Sequence, residues 1–68
     1  MDETERMLLE AEIREALMEM ALAERPDDRA EASENFLSAV SQAHSYGAHV
    51  LIYRDTEGVV QVSVVANT

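Results

Sequence analysis

The sequence predicts an α+β domain in ααββ order: two antiparallel helices followed by a C-terminal β-hairpin, assembled as a homodimer. Apolar residues recur at helical spacing over two stretches, about 3–25 and about 28–46, separated by Arg25-Pro26. From Ala48 the pattern changes to Val, Ile and Tyr alternating with polar residues. Asp55-Thr56-Glu57-Gly58 divides that last stretch, about 48–66, into two strands. At 68 residues the chain makes one domain, taken as 1–68.

The first helix sets the terms for the rest. Asp2 or Thr4 can cap it, and Asp2 with Glu5 has capping-box spacing. At about 100° per residue its large side chains fall on two stripes. Leu9, Ile13, Leu17 and Met20, with Ala16, form one; Met7, Met18 and Leu22, with Ala11, form the other. Glu12, Glu15 and Glu19 separate the stripes on one flank, Glu10 and Arg14 on the other. A chain this short has one small core to offer, so the second stripe needs another partner. The simplest is a second copy, which makes Met7, Met18 and Leu22 the expected dimer interface.

Arg25-Pro26 is expected to end the first helix, because a residue before proline is pushed out of the α region. Pro26, Asp27 and Asp28 then form the connection, with Asp27 or Asp28 as cap of the second helix. That helix is single-faced. Ala32, Phe36, Ala39, Val40 and Ala43 share one side, with Leu37 and His44 at its edge. Glu31, Glu34, Asn35, Ser38 and Gln42 lie opposite, and Gly47 supplies a left-handed C-terminal cap.

In the hairpin, a type I turn closed by Gly58 pairs Ile52 with Val62, Val50 with Val64 and Arg54 with Val60. Val50, Ile52, Val60, Val62 and Val64 then share one face; His49, Leu51, Tyr53, Gln61, Ser63 and Val65 share the other. A lone hairpin has two open edges and is marginal in water. Pairing one edge across a two-fold axis is a second route to a dimer.

Composition narrows the function classes. The net charge is −9, with twelve acids and four arginines in residues 1–34 (−8) and two acids and one arginine in 35–68 (−1). Such a field disfavours DNA, RNA and anionic lipid, and favours a basic protein surface. The absence of cysteine removes disulfides and thiol chemistry. An acidic start and no long uncharged apolar span lead to the expectation of a cytoplasmic protein, with no signal peptide and no membrane partner. His44 and His49 lack a third ligand at useful spacing, Ser41 and Ser45 beside His44 are ordinary helical neighbours, and both glycines serve turns. No enzyme activity, metal or cofactor is expected. Glu12, Glu15 and Glu19 lie along one line of the helix, the outer two about 10 Å apart. They can meet arginines and lysines that otherwise hold phosphates. Leu51 and Tyr53 on the hairpin are the further expected partner contacts.

The acidic helix MDETERMLLEAEIREALMEM and the hairpin HVLIYRDTEGVVQVSVV give the chain a layout that resembles the small phage-encoded inhibitors of host proteins, among them anti-CRISPR proteins and anti-activators of bacterial transcription factors. The resemblance is one of class and carries no functional residue over. It implies stoichiometric binding in a bacterial host cell and blockade without turnover. The competing expectation is an antitoxin-like or assembly-adaptor module that binds through the apolar surface of the first helix or the hairpin edge.

Overall fold

The computed structural model describes residues 1–66; the expected domain limit at Thr68 lies outside them. Helix α1 spans Glu3–Leu22, α2 spans Pro26–Ser45, and strands β1 (Ala48–Arg54) and β2 (Val60–Ala66) form an antiparallel pair. The ααββ order is as the sequence predicts. The helices pack along their length; α1 also lies against β2, and α2 against β1.

Helix α1 begins at Asp2, whose Oδ1 accepts the Glu5 N–H at 2.8 Å. Arg6 binds Glu3 and Glu10 on successive turns, drawing together the first eight residues of the helix. The helix stops at Leu22, three residues short of the expected end. Ala23 is extended (ψ 125°), and its N–H still donates to the Glu19 carbonyl at 2.9 Å. The proline acts on the next helix. Arg25 is extended (φ −101°, ψ 141°), as a residue before proline must be, and Pro26 occupies the first turn of α2, where no N–H is needed. Thus α2 starts at Pro26 and not near 28. Asp27 and Asp28 stand inside the first turn, favoured by the helix dipole, and neither caps it. Arg29 donates to the Ala23 carbonyl at 3.2 Å and ties the connection. Tyr46 follows the last helical residue, and Gly47 (φ 78°) turns the chain into β1.

The register matches the sequence prediction: Val50 faces Val64, Ile52 faces Val62 and Arg54 faces Val60. Gly58 is left-handed (φ 82°) and donates to the Asp55 carbonyl at 3.0 Å, closing the turn. The core lies between α1, α2 and the inner hairpin face, with Leu9, Ile13, Ala39, Ala43, Ala48, Val62 and Val64 enclosed. Leu17, Phe36, Val40 and Val50 pack around it, partly buried. Alanines on α2 bring the helices close but contribute little apolar volume. Ile13 and Val64 are the large side chains fully enclosed.

The inner hairpin face is covered over only half its length. Ile52 is 45% exposed and Val60 38%, although they share the face of the buried Val62 and Val64. The chain exposes 4983 Å², about 700 Å² more than the ~4,300 Å² that scaling gives for a folded monomer of this mass. The Cα extents of 39 × 29 × 16 Å describe a flat slab. Among the large apolar side chains left exposed are Met7, Leu8, Met18, Leu22, Leu37 and Leu51.

Candidate protein-binding surface

Helical spacing distributes four surfaces around the slab. Leu9, Ile13 and Ala16 point α1 into the core, so Glu12, Glu15 and Glu19 fall on the flank shared with α2. There, with Ala16, Asn35 and Ser38, they line a cleft of about 350 Å³ along the interhelical seam. It continues into a second hollow of about 490 Å³ lined by Glu19, Leu22, Asp28, Glu31, Ala32 and Asn35. Small Ala16 and Ala32 let the helices approach, so the carboxylates stand at the rims. The result is one trough with five carboxylates and no cationic side chain in its lining.

The expected trio of Glu12, Glu15 and Glu19 is therefore brought together. Asp28 and Glu31 extend it, and sequence reasoning missed both. Antiparallel packing, which sets Ala32 near the C-terminal turns of α1, was the signal that could have found them. Leu51 and Tyr53 are exposed, but on the outer hairpin face, away from the helices. The structure does not unite them with the carboxylates.

The second apolar stripe is bare: Met7 is 58% exposed, Met18 57% and Leu22 75%. Beside it, Arg14, Leu17, Met18, Ala21, Val59 and Val60 line an apolar groove of about 320 Å³ between α1 and the hairpin tip. The groove exists because the hairpin outruns the helix side chains that cover its base.

Two carboxylates are tuned by their neighbours. The Arg6 guanidinium hydrogen-bonded to Glu3 holds that carboxyl below its ordinary value, and Glu3 in turn raises Arg6. Asp55 is also lowered, first by the Gln61 side chain donating at 3.0 Å, then by the backbone N–H of Val59 and by those of Glu57 and Gly58. Both serve structure, one at a helix start and one in a turn. His44 and His49 line a shallow hollow with Gly47 and Ala48 at the helix–strand junction. Among the described residues, no three of the His, Asp and Glu side chains group closely enough to hold a metal ion. No helix there is long and apolar enough to cross a membrane.

Comparison with protein-family models, curated proteins and solved structures finds no match for the chain.

Proposed function

We propose that this chain is a non-enzymatic, acidic, homodimeric binding protein that masks a basic, nucleic-acid-binding surface of a host protein, such as a transcription factor or a CRISPR-type complex. The observation that carries the reading is the trough: five carboxylates from two helices, converging without a neutralising cation. Residues spaced along helical turns present charge at intervals of about 5 Å, a rigid array for arginine and lysine side chains that otherwise grip phosphates. Because such contacts are Coulombic, they speed association and set specificity, and they weaken with salt. Blockade needs binding alone. The same reading puts the chain in the cytoplasm of a bacterial host cell.

The test is capture from a bacterial lysate on the wild-type chain and on a chain with Glu12, Glu15 and Glu19 all changed to Lys. Each capture is run at about 0.1 M and about 1 M salt, where the screening length falls from ~10 to ~3 Å. A nucleic-acid-binding protein held by wild type at low salt, and released from its DNA or RNA, is the expected result. A partner held equally by both baits at both salts would sink the reading.

The apolar groove beside Met18 favours a second reading, an antitoxin-like or adaptor module that seats an apolar segment there. Met18→Glu then abolishes capture while the lysine variant retains it. The masking reading expects the opposite pattern.

A further inference from the structure

The two edges of the hairpin are not equivalent. The bond from the Asp55 N–H to the Val59 carbonyl fixes the parity of the ladder. Odd-numbered pairs exchange backbone bonds, and even-numbered residues turn their peptide groups outward. On β2 the outward N–H of Val64 is taken by the Glu10 carboxylate at 3.1 Å, so α1 occupies that edge at Val64. On β1, the outward groups of Val50, Ile52 and Arg54 have no counterpart to Glu10 among the described residues.

Among the described residues, the flank above the open edge is also free of carboxylates. Asn35, Ser38 and Gln42 of α2 line clefts shared with α1. Helical spacing therefore turns Leu37, Val40 and His44 to the far side, above β1. Neither that strip nor β1 contains an acidic residue. The Met7–Met18–Leu22 stripe, by contrast, runs between Glu15 and Glu19 on one side and Glu10 on the other. In a chain of net charge −9, copies meet at least electrostatic cost where neither presents a carboxylate.

Coverage along β1 supplies the third constraint. Ala48 is buried and Val50 half-buried beneath α2, whereas Ile52 and Arg54, on the same face, are exposed.

The geometry points to a second copy of this chain pairing antiparallel along the open edge, β1 against β1, about a two-fold axis through Leu51. The inference rests on the dimeric part of the function proposed above and moves its interface from α1 to the hairpin. Leu51 is the midpoint of Ala48–Arg54, so all seven residues pair only with the axis there. Val50 of one copy then faces Ile52 of the other, and the outward peptide groups of both strands bond each other. The covered half of each strand meets the bare half of its mate, and each α2 roofs the Ile52 that its own copy leaves open. One four-stranded sheet results, with Leu37 and Val40 near the axis. Met7, Met18 and Leu22 remain free for a different partner.

The experiment measures solution mass by light scattering and helix content by circular dichroism for three full-length chains: wild type, Ile52→Pro, and Met18→Glu with Leu22→Glu. The Ile52 N–H points outward, so proline there removes no bond within the hairpin. Expected are a dimer for wild type and for the α1 variant, and a halved mass with helices kept for Ile52→Pro. A dimeric Ile52→Pro, or a monomeric α1 variant, overturns this geometry and leaves the dimer itself standing. A monomeric wild type overturns the dimer as well. Should proline unfold the chain, Leu51→Cys decides, because the sequence has no other thiol. Non-bonded antiparallel neighbours sit ~4.5 Å apart at Cα, within disulfide reach. Oxidation to a covalent dimer at Leu51→Cys, but not at Met18→Cys, supports the proposal; a chain that stays uncrosslinked overturns it.

Discussion

Glu10 and Val64, 54 residues apart in sequence, are joined by a 3.1 Å hydrogen bond from the Val64 backbone to the Glu10 carboxylate. The other carboxylate oxygen accepts from Arg6 at 2.6 Å, so one side chain links the start of α1 to the outer strand of the hairpin. It satisfies a strand N–H that a pairing chain would otherwise find free. Glu10→Ala is expected to cost about 1–3 kcal/mol, the range for a hydrogen bond to a charged group plus an orphaned donor. The opened β2 edge should also promote concentration-dependent aggregation. Urea denaturation and hydrogen exchange at the Val64 amide check both effects. An unshifted midpoint and an equally protected amide would show the bond to be incidental.

Ile13 is the largest contributor to a small core. Its exposure is 0%, and many of its enclosed neighbours are alanines and valines that cannot expand to fill a gap. Ile13→Ala is expected to cost roughly 2–5 kcal/mol, against a total of about 3–10 kcal/mol for a chain of this length. The variant should therefore be largely unfolded at moderate temperature unless dimerisation supports it, which thermal melts at two protein concentrations would reveal.

Local chemistry made most of the fold legible. Gly58 in Asp55-Thr56-Glu57-Gly58 reaches the left-handed region without the penalty of a Cβ, and once it is there every pair from Arg54–Val60 to Val50–Val64 follows. The two stripes of α1 were equally plain, since periodicity reports which side chains share a face. What periodicity does not report is how far a neighbour reaches. Ile52 and Val60 are on the inner face by register and exposed by coverage, a property of where the helices cross the strands. Pro26 was ambiguous for a related reason: the same ring that ends one helix is well suited to start another, and Ala23–Arg25 suffices for the connection. Of the acidic trough, the α1 half was readable from spacing within one helix. Asp28 and Glu31 required knowing which turn of α2 lies beside Glu19. Glu10 looked like one more charge on a flank, because its partner is a backbone N–H that no side-chain pattern encodes.

Acidification should loosen the hairpin turn through Asp55. Its carboxylate accepts from the Gln61 side chain at 3.0 Å and from the Val59 and Glu57 N–H groups at 2.9 Å each, and its pKa is lowered. A depressed folded-state pKa contributes stability that is fully present above the unfolded value, ~3.9 for aspartate. That contribution fades as pH falls towards the folded value and is gone below it. Wild type should therefore lose its stability advantage over Asp55→Asn between the ordinary aspartate range and the lower folded midpoint, and keep it constant above. Carboxyl titration by NMR, with thermal melts of both chains, tests this; a constant difference down to the lowest pH would refute it.

Glu15 separates the two things an acidic face can do. It sits three residues from Glu12 and four from Glu19, and like charges at these spacings destabilise a helix by about 0.2–0.5 kcal/mol per pair. Glu15→Gln keeps the length and polarity of the side chain and removes that repulsion, so the folded chain should gain a few tenths of a kcal/mol. If the trough also grips a basic surface, the same change must weaken binding, because the lost charge lines it between Glu12 and Glu19. Opposite signs are therefore expected: a slightly higher thermal midpoint and a reduced affinity for a labelled arginine-rich peptide, with a shallower dependence on salt. A rise in stability with binding unchanged would mean that the carboxylates only solvate the helix. A site that binds by concentrated charge has to hold its repulsion in the free state, and Glu15 is where that cost can be measured without disturbing the core.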